Sequence, residues 1–467
     1  MTIIHISAEC YPIAKVGGLG DVVGALPKYQ NKLGETSNVI MPFYDNQFTR
    51  ANSFKTIFSG KLQLGIPMDF NILALETSSL GFDVYFVDVP YLLFKDYVYS
   101  DNDTGRFLAF QIAALNWIIQ LDETPNLIHC HDHHTGLIPF MMSQCHAYQK
   151  LRSVPSVITI HNGQYQGWFS HDLMHLMPAF DFNNVGLLDW NQMVNPLAAG
   201  IKSAWKVTTV SPSYMEELKH AANGLEFLLQ IESQKCVGIL NGIDSVVWNP
   251  KTDEYIEKNY TTQSVVSGKK ANKVWICEQF GLNPELPLFI FIGRLVSEKG
   301  ADLLPYIFDS ALKSKKLSIV MLGSGDGNVE GQLDSLKYNH SGFYNTYIGY
   351  NEKLAHTLYA AADFILMPSR VEPCGLNQLY ALRYGTVPIV NSVGGLKDTV
   401  IDIGEKGFGI RHSGPSVHEV VNAIGRAIYF YEDSEKFKKN RKLIMQIDHS
   451  WDVSAQEYIN LYNSIQP

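Results

Sequence analysis

The chain has 467 residues, more than a single hydrophobic core usually organises, so we expect two domains. Its 46% hydrophobic and 18% charged residues are typical of a globular protein. The net charge of -9 and the lack of a long basic run argue against a duplex nucleic acid partner. The sequence contains no uncharged apolar stretch of about 18 residues, so no membrane span is predicted.

The beginning of the chain is predicted to be a strand. Residues 2–8 are mostly apolar and lack the basic start and the small-residue cleavage site of a signal peptide. The six cysteines are scattered and include no C-x-x-C pair, as is typical of a protein kept reduced. We therefore expect a cytoplasmic protein.

Strand-like apolar runs alternate with helical patterns along the whole chain. They lie at residues 2–8, 83–89, 127–130, 156–160 and 206–210, and again at 288–292, 317–322, 363–367 and 387–390. This alternation predicts an α/β fold with parallel sheets covered by helices. A boundary is predicted near residues 240–250, followed by a polar surface loop at 251–273. We expect two Rossmann-like domains with a cleft between them.

A glycine-rich segment, residues 15–21, follows the first strand and opens a predicted amphipathic helix. Gly17 and Gly18 let the backbone approach a phosphate closely, and Lys15 can neutralise it, with Asp21 in the first helical turn. The segment lacks the third glycine of a dinucleotide-binding motif, so a plain strand-to-helix turn is the alternative.

Polar side chains also follow the strands at 127–130 and 156–160. Asp132 stands at a strand end, and a carboxylate accepts hydrogen bonds well from vicinal sugar hydroxyls. The neighbouring histidines, at positions 129, 131, 133 and 134, include no set with zinc-like spacing, so no metal site is expected. His161 is either a packed core histidine or a side chain exposed at the ligand edge of the sheet.

The second half of the chain contains candidate nucleotide ligands. Arg294 and Lys299 flank a turn after the strand at 288–292 and could clamp a diphosphate, although solvated surface charge is the alternative. Tyr350 could stack on a nucleobase or be a buried core tyrosine. Gly394 and Gly395 open another helix and offer an amide nest for phosphate, or form a simple turn.

Glu372 is the most informative residue. It follows the apolar strand at 363–367, and Pro373 and Gly375 open the helix behind it. Ligands of open α/β sheets bind at this carboxyl edge, and a helix N-terminus there suits a phosphate. A carboxylate beside a phosphate site is explained by a developing positive charge, such as a glycosyl cation leaving a nucleotide diphosphate.

Taken together, these segments resemble bacterial glycogen synthase and plant starch synthase, which are retaining glycosyltransferases of the GT-B type in family GT5. The resemblance covers nearly the whole chain and rests on the order and spacing of residues 15–21, 161–167, 240–250, 293–300, 372–379 and 394–400. It implies a first Rossmann-like domain on the acceptor side at 1–241 and a donor domain at 242–447. A C-terminal helix at 448–467 would pack back on the first domain.

The resemblance also implies an activity: transfer of glucose from ADP-glucose to the non-reducing end of an α-1,4-glucan, with retention of configuration, release of ADP and no metal or other cofactor. The catalytic residues it implies are Asp132, His161, Arg294, Lys299 and Glu372. The nucleotide-sugar ligands it implies are Lys15, Gly17, Gly18, Asp21, Asn241, Arg294, Lys299, Tyr350, Cys374, Gly375, Leu376, Gly394 and Gly395. Front-face attack is the family's preferred mechanism, with Glu372 as a stabiliser. A carboxylate nucleophile opposite the leaving group is the open alternative.

Two positions depart from the patterns of related transferases. Tyr380 stands where many of them carry a second glutamate, and Val393 stands where this family usually has threonine. Three other functions remain open: a transferase using UDP-glucose or another acceptor, an inactive glucan- or nucleotide-binding protein, and a phosphorylase. The phosphorylase is disfavoured because no segment matches its pyridoxal phosphate lysine region.

Overall fold

A computed structural model describes residues 1–466 and divides into two compact units. The first unit comprises Met1–Leu240 and the segment from Trp451 onward, and the second comprises Asn241–Ser450. The chain therefore leaves the first unit once and returns to it for its C-terminal helix.

The first unit is built on a nine-stranded sheet with the order β11-β10-β7-β6-β1-β2-β5-β4-β3. Its strands are β1 Thr2–Ile6, β2 Thr36–Pro42, β3 Phe54–Leu64, β4 Ile66–Leu75, β5 Val84–Asp88, β6 Leu127–His131, β7 Ser156–Ile160, β10 Lys206–Thr209 and β11 Cys236–Gly238. A separate two-stranded pair consists of β8 Asp189–Trp190 and β9 Met193–Val194. The neighbours from β11 to β5 pair in parallel, as the alternation of strands and helices predicts.

The β3 edge of this sheet is antiparallel, whereas the sequence predicts parallel strands. Strands β3 and β4 form an antiparallel hairpin joined at Gly65, and β4 also pairs antiparallel with β5. Most β3 side chains are exposed or half-buried, as is common in antiparallel strands, which can leave a sheet face open to water. Its apolar content is therefore too low to give the continuous apolar run by which buried strands are recognised.

Helices of the first unit follow its strands. They are α1 Gly18–Lys32, α2 Gln47–Ala51, α3 Thr104–Ile118, α4 Ile138–Gln144, α5 Pro196–Ser203, α6 Pro212–Leu218 and α7 Glu226–Ile231. Short 3₁₀ helices occupy His133–Thr135, His146–Leu151, His171–Leu176, Phe182–Leu187 and Ser233–Lys235.

The second unit has a six-stranded, fully parallel sheet with the order β14-β13-β12-β15-β16-β17. Its strands are β12 Leu288–Ile292, β13 Ser318–Gly323, β14 Tyr344–Ile348, β15 Phe364–Met367, β16 Val387–Asn391 and β17 Ile410–His412. Alternate residues of β12 belong to different apolar clusters, Phe289 and Phe291 to one and Leu288 and Ile290 to the other. Both faces of the sheet are therefore covered, which explains the continuous apolar runs.

Helices of the second unit are α8 Val265–Phe280, α9 Leu304–Leu312, α10 Gly327–Asn339, α11 Glu352–Ala361, α12 Asn377–Arg383, α13 Gly394–Thr399, α14 Val417–Glu432 and α15 Ser434–Ile444. Short 3₁₀ helices lie at Ser297–Lys299, Ala301–Leu303 and Ile403–Glu405.

The predicted surface loop at 251–273 is wrong in its last third. Helix α8 begins at Val265, and its Lys269 and Lys273 are buried. Lys269 donates to Thr386 Oγ1 at 2.7 Å, and Lys273 pairs with the buried Asp363 carboxylate at 2.7 Å. The charge of these lysines is the reason why the sequence predicts a solvated segment. In the structure, buried acceptors compensate the desolvation of the two lysines.

The C-terminal helix, α16 Trp451–Asn463, completes the core of the first unit. Its Trp451, Tyr458 and Tyr462 pack in one buried cluster with Ile3 of β1 and Leu127 of β6. These aromatic side chains bury large apolar areas, so the helix is an integral part of the unit.

Among residues 1–466, no helix combines the length and the apolar character needed to cross a membrane. The six cysteines are unpaired, and five of them are buried.

Candidate active site

Three neighbouring strands of the first unit bring its predicted site residues to one edge. In the order β7-β6-β1, the carboxyl ends lead respectively to His161, to Asp132 and to the segment 7–21 that ends in the glycine-rich turn. Parallel strands end at the same edge, so this placement follows from strand order.

Glu9 is a residue of this edge that sequence reasoning missed. Its carboxylate Oε2 accepts hydrogen bonds from the amides of Val16 at 2.6 Å and Gly17 at 3.0 Å. The Tyr99 hydroxyl donates to its Oε1 at 2.5 Å. The Gly17 amide is therefore not free for phosphate, so the prediction that it binds one requires correction. The position of Glu9 just past β1 was the signal by which the sequence could have indicated it.

Gly17 and Gly18 nevertheless remain open to solvent. A Cβ atom added at either position would meet no atom of the chain within 4 Å, whereas one at Gly24 would lie 2.3 Å from the Tyr11 carbonyl oxygen. Packing explains the glycine at 24 but not those at 17 and 18. A ligand that approaches the backbone closely would explain them.

Lys15 pairs with Asp21 across the turn, with Nζ 2.7 Å from Oδ1. The two side chains are 43% and 29% exposed, so water screens their attraction and the pair contributes little stability. Both predicted ligands are thus accessible at the start of α1.

Asp132 has an unusual backbone conformation, with φ at +56°. The left-handed region is uncommon for residues other than glycine, and such strain concentrates at functional sites. Its Oδ1 accepts from the His161 amide at 2.7 Å, and its side chain is almost fully buried. Burial raises the pKa of Asp132 to about 7, although backbone hydrogen bonds from His161 and Asn162 oppose the shift.

We expect Asp132→Asn to stabilise the protein at alkaline pH. Because the folded state raises the carboxyl pKa from 3.8 to about 7, the stability of the native protein should fall as pH rises through that range. The amide cannot ionise, so the variant should gain about 1–3 kcal/mol at pH 8 and nothing near pH 4. Thermal unfolding at pH 4, 6 and 8 tests this, and an equal gain at all three values would contradict it.

His161 is a packed histidine, only 8% exposed, rather than a freely exposed one. Its Nε2 lies 3.0 Å from His131 Nδ1, and its Nδ1 is buried without a hydrogen-bond partner among residues 1–466. Burial lowers the pKa of His161 to about 3, so the ring is neutral at physiological pH.

The histidine cluster contains one member that the sequence prediction did not include. His5 of β1 joins His129 and His131 of β6 in a buried group. All six ring nitrogens of the three are within hydrogen-bond distance of partners: His131, Gln30, Tyr462, Thr159, His5 and His161. A metal ion would have to displace these bonds, so the geometry favours a hydrogen-bonded cluster.

In the second unit, Lys299 and Glu372 form a direct ion pair. Lys299 Nζ lies 2.6 Å from both carboxylate oxygens, and the Ser369 hydroxyl donates to Oε2 at 3.0 Å. The carboxylate is almost buried, while Lys299 keeps 25% of its side chain exposed. The two residues lie in the segments that follow the adjacent strands β12 and β15, so the fold brings together two predictions made independently.

Arg370 links the segment that carries Glu372 to the segment that carries Lys299. Its guanidinium makes a two-pronged contact with Asp302 at 2.6 and 2.8 Å, and its amide donates to Glu298 O at 2.8 Å. Gly300 permits the close approach, since a Cβ there would lie 2.4 Å from the Pro368 carbonyl oxygen. These contacts preorganise Lys299 against Glu372.

The amide nest predicted at Gly394 and Gly395 requires correction. The Gly395 amide donates to Glu372 O at 3.1 Å and to Pro373 O at 3.2 Å, so it is not free for phosphate. Cβ atoms at Gly394 and Gly395 would lie 2.1 Å from the carbonyl oxygens of Glu372 and Cys374. The glycine pair lets the Glu372 segment pack on α13, so its evident role is to position that segment.

Arg294 and Tyr350 are exposed, as ligand-binding side chains would be. Arg294 has no ion-pair or side-chain hydrogen-bond partner in the part of the chain that the structure describes. Tyr350 is 84% exposed, with its hydroxyl 3.2 Å from Glu352 Oε2. The alternative of a buried core tyrosine is therefore wrong.

The remaining predicted ligands surround the start of α12. Burial raises the pKa of the Cys374 thiol to about 12, so the thiol is protonated and unreactive, and the Asn241 amide faces it. Gly375 adopts φ of +73°, and Leu376 immediately precedes the helix. The Asn241 side-chain oxygen is buried without a hydrogen-bond partner among residues 1–466.

Tyr380 has a structural explanation. Its ring stacks on Trp248, with centroids 3.8 Å apart, and Trp248 stacks in turn on His356 at 3.8 Å. An aromatic residue suits this column, whereas a glutamate would lose the stacking. Val393 precedes α13, where its backbone supplies the helix cap without a side-chain hydrogen bond.

Two units with Rossmann-like parallel sheets, charged residues at the strand ends and a returning C-terminal helix define a glycosyltransferase of the GT-B class. Residues 2–231 match the starch synthase catalytic domain family, and residues 276–443 match glycosyl transferases group 1. The chain belongs to the glycogen synthase and starch synthase family, and it is a glucosyltransferase of glycogen synthesis.

Similar proteins support this assignment over the whole chain. A glycogen synthase of Flavobacterium johnsoniae is 50% identical over 469 residues, covering 100% of this chain and 99% of the relative. A glycogen synthase of Streptococcus pneumoniae is 37% identical and covers 100% of both chains. The catalytic domain of starch synthase IV from Arabidopsis thaliana, bound to ADP and acarbose, superposes with a TM-score of 0.89 at 32% identity, covering 99% of each chain. These findings confirm the predicted family, the fold class and the glucosyltransferase activity of glycogen synthesis.

Proposed function

We propose that the site residues predicted from the sequence perform this transfer, with ADP-glucose as the donor and without a metal ion. The observation that carries the proposal is the ion pair between Lys299 and Glu372 at the carboxyl ends of β12 and β15. It places a cation and an almost buried carboxylate side by side, in the same loops as the exposed Arg294.

These charges suit both halves of the reaction. When the anomeric bond breaks, negative charge grows on the leaving diphosphate and positive charge grows on the glucosyl ring. Lys299 and Arg294 would stabilise the first, and Glu372 would stabilise the second. In front-face attack, the acceptor hydroxyl passes its proton to the leaving phosphate oxygen, so Glu372 would stabilise and orient without forming a covalent bond.

The first unit has its own candidate ligands for the donor. We assign Lys15 to the diphosphate, and Asp132 and the Nδ1 atom of His161 to hydroxyls of the glucosyl ring. Tyr350 of the second unit would stack on the adenine. The likeness to starch synthase IV, which was bound to ADP and acarbose, supports a nucleotide and an oligosaccharide as ligands. The free cysteines favour a cytoplasmic location.

A transfer assay with radiolabelled donor tests the proposal. ADP-glucose and UDP-glucose are each supplied with glycogen, and label in precipitated glucan is measured over time in the presence of EDTA. We expect transfer from ADP-glucose at a rate that EDTA leaves unchanged. Transfer from UDP-glucose alone would refute the donor assignment, loss with EDTA would refute the metal-free mechanism, and ligand binding without transfer from either donor would favour the inactive binding protein.

Gly18→Ala tests whether a ligand approaches the backbone at this position, because its effect on kcat/KM can be measured separately from its effect on stability. Alanine is the better helix former by about 1 kcal/mol, and nothing in the chain blocks its methyl group, so the melting temperature should hold or rise. If the donor phosphate lies against this backbone, kcat/KM for ADP-glucose should fall by about tenfold to a hundredfold. Gly327→Ala, at the equally open first position of α10, is the matched control: its melting temperature should likewise hold or rise, and its kcat/KM should stay unchanged. Full activity of Gly18→Ala would show that no ligand approaches there.

A further inference from the structure

A buried chain of hydrogen bonds connects His161 to the interior of the first unit. His161 Nε2 lies 3.0 Å from His131 Nδ1, and His131 Nε2 lies 3.0 Å from His5 Nδ1. His5 Nε2 lies 2.8 Å from Gln30 Oε1, and His131, His5 and Gln30 are fully buried. His161 directly follows β7, and the other three side chains come from β6, β1 and α1.

The far end of the chain reaches the C-terminal helix. Gln30 Nε2 donates to the Tyr462 hydroxyl at 3.2 Å, and the Ser37 hydroxyl donates to Gln30 Oε1 at 2.7 Å. The Tyr462 hydroxyl also lies 2.7 Å from His129 Nδ1. The Gln30 amide is therefore held on both sides, with its oxygen directed at His5.

This orientation determines the tautomer of each histidine in turn. An amide oxygen only accepts, so His5 must carry its proton on Nε2 and accept at Nδ1. His131 must then donate from Nε2 and accept at Nδ1, which requires His161 to donate from Nε2. The result is a bare acceptor at His161 Nδ1, the buried atom without a partner.

The rings are suited to such a relay because they are neutral. Burial lowers the pKa of His5 to about 4 and that of His161 to about 3, and it lowers the pKa of His131 well below its ordinary value. A neutral imidazole has one donor and one acceptor, so turning the Gln30 amide by half a turn would reverse every bond and place a proton on His161 Nδ1.

We propose that Gln30 and Tyr462 are positioning residues that set the tautomer of His161 through His5 and His131. The inference rests on the proposed function, in which His161 Nδ1 meets the glucosyl ring. It gives a role to a fully buried row of polar side chains in the sheet core, and it makes the C-terminal helix a contributor to the active site. A wrong tautomer would leave a buried polar group unpaired in the donor complex.

The tautomers can be read by nitrogen-15 NMR of histidine-labelled protein, with the His161 signal assigned by its loss in His161→Gln. In the wild type we expect His161 protonated on Nε2. Gln30→Met removes the amide and should give mixed tautomers, whereas Gln30→Glu keeps an acceptor and should retain the native one. Tyr462→Phe, which keeps the ring, should give a mixture. His161 protonated on Nδ1 in the wild type, or an unchanged tautomer in Gln30→Met, would overturn the proposal.

Kinetics supply the second readout. For Gln30→Met, kcat/KM for ADP-glucose should fall about tenfold to a hundredfold, while ADP affinity stays the same because ADP lacks the glucosyl ring. Gln30→Glu should recover most of the loss. Gln111→Met is the matched control: Gln111 is a buried glutamine of the same unit, and its amide donates to Phe107 O at 3.0 Å and accepts from the Leu137 amide at 2.9 Å, outside the path to His161. The variant should keep the native tautomer and rate. Equal losses in Gln30→Met and Gln111→Met would indicate a merely structural role. A wild type without transfer from ADP-glucose would refute the proposed function and leave the tautomer result standing.

Discussion

Glu372→Gln is expected to lower kcat for glucosyl transfer by about a hundredfold to a thousandfold while the protein still binds ADP. The substitution keeps the shape of the side chain and removes its charge. A neutral amide next to Lys299 cannot balance the positive charge that develops on the glucosyl ring. Initial rates with ADP-glucose and glycogen, together with calorimetric titration of ADP, measure the two effects separately.

A matched carboxylate control is available in the same unit. Glu435 lies on α15, and its side chain is 78% exposed beside Lys438, so Glu435→Gln should leave the rate within twofold, roughly the limit for surface changes. If Glu372→Gln kept more than about a tenth of the wild-type kcat, Glu372 could not be the electrostatic stabiliser we propose. If it lost ADP binding as well, its role would lie in binding the nucleotide.

Lys299→Met is expected to impair both stability and activity. It leaves the almost buried Glu372 carboxylate with the Ser369 hydroxyl as its one remaining side-chain partner among those the structure shows, which should cost about 1–3 kcal/mol of unfolding free energy at pH 7. It also removes a cation from the leaving diphosphate, so kcat/KM should fall by about a hundredfold or more. Urea unfolding and steady-state kinetics measure the two losses.

The double variant Lys299→Met/Glu372→Gln separates these effects. With both charges removed, the unpaired carboxylate is gone and most of the lost stability should return, but activity should not. Lys313→Met is the control, because Lys313 is 70% exposed in its pair with Asp309 and should contribute less than about 1 kcal/mol. A double variant no more stable than Lys299→Met would show that the ion pair does not carry the stability of this loop.

The sequence determined the features that depend on local pattern. Apolar runs alternating with helical segments predict parallel sheets, because a strand covered on both faces needs apolar residues along its length. Polar residues that follow such runs predict a ligand edge, which is why the sequence alone indicates Asp132, His161, Arg294, Lys299 and Glu372 as candidates. Their roles in binding and transfer stay predictions until the variants are measured.

Pairings between distant elements were decided by the tertiary structure. The order of strands brings Lys299 onto Glu372 and His5 beside His131, and no periodicity within one element encodes that order. The adjacency of β15 and β16 likewise brings the Glu372 carbonyl to the Gly395 amide. The contact of the Glu9 carboxylate with the amides of the glycine turn is set within one loop, by its folded conformation. The Gly17 and Gly395 amides, which the sequence predicts as phosphate ligands, therefore bind groups of the protein itself.

The contact between Gln30 and Tyr462 joins residues 432 positions apart. From the sequence alone, Gln30 is one polar position in an amphipathic helix and Tyr462 is one aromatic residue near the C-terminus. The sequence determined the elements, the edge where ligands bind and the chemical types assembled there. The tertiary structure decided which donors meet which acceptors, because hydrogen bonds are short and directional and depend on how separate elements pack.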